Sequence, residues 1–105
     1  MFRKVPKPTL VMEKETAGDD AHHNPTLSID SQGYLWVFAP SHGGNDAFIY
    51  RSREPYSIDA FDLVTQKTFS YPEPWYHEGF GHMFLFTKYT GGRELYFCTS
   101  PDGIN

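Results

Sequence analysis

Apolar residues along this chain fall into short blocks punctuated by glycine, proline and small polar residues. No stretch keeps a period of 3.6, so extended strands rather than helices are predicted throughout. Pro25 to Ile29 reads as a first strand, and Asp30-Ser31-Gln32-Gly33 as the turn after it, with the glycine where a positive φ is needed. Tyr34 to Ala39 is apolar without alternation, the pattern of a strand covered on both faces. A loop from Ser41 to Asn45 leads to a third strand, Ala47 to Ser52, and Glu54-Pro55-Tyr56 turns the chain toward a weaker outer strand near Phe61 to Val64.

The pattern then recurs. Setting Ser41–Gly44 over Tyr89–Gly92 gives an offset of 48 residues (91 − 43). Held without a gap, that offset matches Gly33 to Gly81, Leu35 to Met83, Trp36 to Phe84, Phe38 to Phe86 and Ile49 to Phe97. Met83 to Thr87 and Glu94 to Thr99 repeat the second and third strands, while Pro72 and Pro74 make Ser70–Tyr76 a rigid approach to the inner edge. A repeat of roughly 40 to 50 residues built of short aromatic strands is the signature of a β-propeller blade. The predicted fold is all-β, with about two four-stranded antiparallel blades of an incomplete propeller. Residues 1–21 read as the outer strand of a preceding blade (Thr9 to Met12) with its leading loop, 22–70 as the first complete blade, and 71–105 as a second blade truncated before its outer strand.

Length qualifies this picture. At 48 residues per repeat, 105 residues hold about two blades, whereas closed propellers have roughly four to eight. The expectation is a fragment of a longer product, its open flanks meeting the remaining blades or further copies of itself. The net charge of −4 and the scattered basic residues argue against nucleic acid and anionic membranes as partners. Cys98, alone and in an apolar strand, reads as a small buried hydrophobe. The start carries prolines and charges where an export signal needs an apolar core, and no apolar run approaches 18 residues. As written the product is expected in the cytoplasm, with a longer parent secreted or periplasmic.

In an up-and-down meander, the residues leading into the first strand and those of the loop between the second and third strands share one end. His22, His23 and Asn24 therefore meet His42, and the second repeat adds Tyr71, Glu73 and Trp75 with Lys88, Tyr89 and Arg93. Such a set suits β-elimination on an acidic polysaccharide or oligosaccharide. A neutral imidazole takes the proton beside the carboxylate and a second donor serves the leaving oxygen. Arg93 balances charge on the carboxylate, and Trp75 offers a stacking surface. Bland readings stand beside these: a solvated loop for His22 and His23, an idle exposed His42, and blade packing for Trp75. A metal held by His22, His23, His42 and Asp20 is possible by residue type but has no diagnostic spacing, so no cofactor is expected.

The segments HNPTLSIDSQGYLWVF, IYRSREPYSIDAF, YPEPWY, FTKYTGGRELYF and TSPDG resemble the bacterial BNR-repeat proteins, neuraminidase-like propellers of polysaccharide-degrading bacteria. The likeness runs from about Asp20 to Asn105. Tyr50–Ser52 and Ser100–Gly103 resemble the Asp-box turns of that family, which lie away from the active end. His23-Asn24 followed by His42-Gly43 is similar to the arrangement in propeller polysaccharide lyases such as the ulvan lyases. That resemblance implies histidines and a tyrosine as base and acid, here His23, His42 and Tyr89, with His22, Asn24, Trp75, Lys88 and Arg93 binding substrate. A sialidase-like glycoside hydrolase and a non-catalytic carbohydrate-binding or scaffold segment are the alternatives; the first needs several converging arginines, of which only Arg93 is suitably placed.

Overall fold

A computed structural model describes residues 7–12, 23–42, 46–89 and 91–100. Among them there is no α-helix. Seven strands, β1 (Thr26–Ile29), β2 (Leu35–Ala39), β3 (Ala47–Ser52), β4 (Phe61–Lys67), β5 (Ser70–His77), β6 (Gly81–Tyr89) and β7 (Arg93–Ser100), form two antiparallel meanders. Sheet one has the order β1-β2-β3-β4 and sheet two β5-β6-β7. The fold is thus all-β and propeller-like, as the repeat predicts, and no helix among the described residues is long and apolar enough to cross a membrane.

The first hairpin is closed by one carboxylate. Asp30 Oδ1 accepts the backbone N–H of Gln32 (3.0 Å) and of Tyr34 (2.9 Å), while Oδ2 accepts the indole N–H of Trp36 (3.0 Å). Gly33 supplies the positive φ, +89°, that this turn requires. Trp36 is thereby fixed in direction as well as buried. Its side of sheet one, here termed the front, carries Trp36, Phe38, Ala47 and Ile49 against sheet two.

Several boundaries differ from the sequence expectation. β4 runs on to Lys67, because Thr65, Gln66 and Lys67 pair with Ile49, Phe48 and Ala47 although they are not apolar. Ser70–His77 is a full strand; its prolines are tolerated because β5 is the sheet edge, where a missing N–H breaks no inner ladder. Thr9 to Met12 is not a strand. This segment lies with Pro8 against Leu27, Val37 and Ala39 on the back of sheet one, lining a cleft of about 500 Å³. The loop Lys14–Asp20, the glycines Gly43 and Gly44 and the Asp-box-like Pro101–Gly103 lie outside the described residues.

The repeat itself is corrected by one residue in the second strand. Phe84 and Phe86 face sheet one, with Phe84 5.4 Å from Phe38 between ring centroids, so they occupy the back of sheet two. The residues of β6 that match Trp36 and Phe38 in direction are Met83 and Leu85. The pairing register agrees in every strand. Phe38 stands opposite Ile49 as Leu85 stands opposite Phe97, and Ser28 opposite Trp36 as Trp75 opposite Met83. The two sheets therefore stack the same way forward, as successive blades do, and the front of sheet two faces outward.

The short link between the sheets supplies the centre of the core. Phe69 is 1% exposed, and its ring lies 6.5, 5.8 and 6.4 Å from those of Phe38, Phe84 and Phe86. Nearer the hairpin-turn end, His82 is buried against Trp36 (4.5 Å) and Tyr76 (5.1 Å), and its Nε2 has no hydrogen-bond partner among the described residues. Burial pushes the imidazole below its usual range, opposed by Asp30. The unfolded chain therefore takes up this proton first as pH falls. The stabilising contribution is complete above about pH 6.5 and drains away below it, down to the folded value. Urea midpoints measured between pH 8 and pH 5 should fall more steeply for the natural chain than for His82→Leu.

Candidate functional site

The end of the molecule opposite the Asp30 turn is built across the seam between the sheets. After β2 the chain passes through buried Pro40 to Ser41, whose backbone N–H donates to the Phe69 carbonyl at 3.1 Å. The Ser41 carbonyl in turn accepts the Ser70 hydroxyl. Ser41 and Ser70 are both buried. Two bonds thus fasten the residue before His42 to the residue before Tyr71, which sets both ring-bearing side chains at one place.

Tyr71 is placed by strain. Its φ of +50° is unusual for any residue other than glycine, and it falls where the β5–β6 register slips between Ser70 and Glu73. A bulge of this kind re-aims one side chain out of the alternating pattern. The Tyr71 ring lies 5.9 Å from His42, edge-on, with the Arg93 guanidinium 5.7 Å from its centroid. β6 and β7 bring Tyr89 and Arg93 opposite each other at the same end. Tyr89 Oη lies 3.2 Å from His42 Nε2, with the two rings 5.6 Å apart and nearly perpendicular. His23 completes the group, 6.4 Å from His42 and edge-on.

The phenol of Tyr71 is held above its ordinary value, first by hydrogen bonding with Tyr89 and then by desolvation, against the opposing charge of Arg93. Tyr71 therefore keeps its hydroxyl proton near neutrality. His42, Tyr89 and Arg93 are exposed and Tyr71 is half-buried, so the cluster lies open to a large ligand.

Of the residues predicted from sequence, His23, His42, Tyr89 and Arg93 come together. Asn24 is exposed and follows His23 directly; His22 lies outside the described residues. Lys88 does not join them. It precedes Tyr89 by one position and so points to the other side of β6, with its ammonium 5.7 Å from the Phe86 ring and 5.3 Å from Tyr96. Trp75 does not join them either. It lies further along β5 on the front of sheet two, exposed and 6.4 Å from Phe97. Glu73 shares that face, opposite Leu85. Tyr71 is the residue to which the sequence assigned no role, although the shared-end rule put it on this face.

No group of three histidine, cysteine or acidic side chains suited to a metal ion occurs among the described residues. Cys98 is half-buried beside the core, and burial raises its thiol pKa despite Lys88 and Lys67, which disfavours the reactive thiolate. Arg51 and Arg53 are held elsewhere: Arg51 stacks over Tyr34 (4.8 Å) and Trp36 (5.7 Å), and Arg53 pairs with Asp62 at 2.8 Å.

No curated protein and no solved structure matches the chain. A model of the BNR repeat-containing family matches residues 3–95, which include all seven strands but the last five residues of β7, and with them His23, His42, Tyr71, Tyr89 and Arg93. Repeating meanders, two sheets stacked the same way forward and this match agree: the chain belongs to the BNR repeat-containing family.

Proposed function

We propose that the end bearing His42, Tyr89 and Arg93 binds an acidic polysaccharide and cleaves it by β-elimination. Membership of the BNR repeat family supports a carbohydrate-related propeller segment, and the likeness to propeller polysaccharide lyases points to uronate-containing chains. The single observation that carries the chemistry is the 3.2 Å contact between His42 Nε2 and Tyr89 Oη.

In this reading the neutral His42 imidazole takes the proton from C5 of the uronate, and Tyr89 donates its hydroxyl proton to the glycosidic O4. The C5–H electron pair forms the C4=C5 double bond as the C4–O4 bond breaks, and Arg93 offsets the charge that develops on the carboxylate. Products are a free hydroxyl on one chain end and an unsaturated uronate on the other. The contact between the two groups then lets the imidazolium return its proton to the phenolate, which restores both for the next turnover. His23 and Tyr71 both stand edge-on to His42, at 6.4 and 5.9 Å between ring centroids.

The test is ultraviolet detection of unsaturated uronate after incubation with a panel of acidic polysaccharides, alongside a binding measurement. His42→Ala is expected to abolish the product and retain binding. Binding without product for the natural protein on every substrate would replace this reading with a non-catalytic binding module.

A further inference from the structure

The outward front of sheet two is apolar and uncovered. Trp75, Leu95 and Phe97 are 41, 71 and 57% exposed, and Met83 and Leu85 lie between them on β6. Through the pairing register these positions are counterparts of residues whose packing is already visible in the chain. Met83, Leu85, Leu95 and Phe97 correspond to Trp36, Phe38, Ala47 and Ile49, the surface of sheet one onto which sheet two docks. What that surface accepts is the back of a blade, here Phe84, Phe86, Tyr96 and Cys98.

Among the described residues there is one other blade back. The back of sheet one carries Val37, Phe48 and Tyr50, the counterparts of Phe84, Tyr96 and Cys98, flanked by Leu27 and Leu63 at 71 and 56% exposure. Part of it is covered by Pro8–Met12, an extended segment that makes no strand pairing and leaves Leu10 73% exposed. The uncovered front of sheet two and the back of sheet one are related by the same step that relates the two sheets, and are therefore complementary to each other.

We propose that copies of this chain associate head to tail, the front of sheet two in one copy docking on the back of sheet one in the next. The contact continues the interface already present between the sheets and displaces Pro8–Met12 from the back it covers. Because two different surfaces meet, the association is heterologous and extends until a ring closes. With roughly four to eight blades in a closed ring, two blades per copy correspond to about two to four copies.

The test is the mass of the 105-residue chain in solution by light scattering, with circular dichroism to confirm that each variant is folded. The natural chain is expected at two or more times the monomer mass at tens of micromolar. Phe97→Arg blocks the front and Leu27→Arg blocks the back; both side chains are mostly exposed, and each variant alone is expected as a monomer. Mixed in equal amounts they should form a one-to-one dimer and nothing larger, since only one good front and one good back remain. Leu95→Lys and Leu63→Lys provide a second such pair should either arginine variant fail to fold. A natural chain that stays monomeric overturns the proposal. So does a Leu27→Arg variant that keeps the natural mass by itself, which would indicate a symmetric front-to-front contact, or a mixture that stays monomeric.

Discussion

Truncation of Phe69 to alanine is expected to cost about 3–5 kcal/mol, the range for removing a large buried aromatic. This is a large part of the roughly 5–15 kcal/mol that holds a typical domain folded. The size of the effect follows from position. Phe69 belongs to neither sheet, yet its ring touches Phe38 of one sheet and Phe84 and Phe86 of the other. The resulting cavity falls between the two halves of the core, and the surrounding strands cannot close it without tilting one sheet against the other. A large drop in the urea midpoint is expected, with a smaller one for Phe69→Leu. If Phe69→Ala loses no more than Phe69→Leu, the ring is not the tie between the sheets.

The second large effect concerns chemistry. Tyr89→Phe keeps the ring that stands 5.6 Å from His42 and removes only the hydroxyl. If Tyr89 donates the proton to the leaving oxygen, turnover should fall by about 10²- to 10⁴-fold, the usual range for loss of a general acid. Polysaccharide affinity should change little, because the change removes no charge and almost no area. Arg93→Ala should behave differently and weaken binding of the acidic chain as well. An unchanged rate in Tyr89→Phe with a large loss in Tyr71→Phe would transfer the proton donor to the strained tyrosine of β5.

Much of the fold is legible in the sequence because its signals are local. The Asp30–Gly33 turn, the blocks Tyr34–Ala39 and Ala47–Ser52 and the repeat of their spacing depend on neighbours within a few residues. The facing of β6 is different. Met83-Phe84-Leu85-Phe86 is apolar at every position, so matching Trp36 to Phe84 or to Met83 preserves chemical character equally well. Only packing distinguishes the two choices, and a slip of one residue exchanges front for back. Phe69 was invisible for a related reason: it is flanked by Thr68 and Ser70, and a lone aromatic between polar residues carries no period.

The site divides along the same line. Topology alone brings His23, His42, Tyr89 and Arg93 to one end of the blades. Side-chain direction does not follow from topology, and Lys88 turns away because alternation puts it on the opposite side of β6 from Tyr89. The left-handed backbone of Tyr71 runs against expectation for a residue before proline, which ordinarily favours an extended conformation. Such strain is seen only once the bulge between Ser70 and Glu73 is in view.

The bonds that fasten the seam are unequal in how they respond to mutation. Both groups contributed at position 41 are main-chain atoms, so these two bonds do not depend on the side chain there beyond its fitting a buried position, proline excepted. At position 70 the donor is a hydroxyl, and few residues can replace it. The first sheet can thus exchange Ser41 for other small residues that fit the buried site, while the second is held to a hydroxyl donor at the root of β5. Sequence drift in this pair of blades should therefore be lopsided, tolerant on the histidine side of the junction and restrained on the tyrosine side.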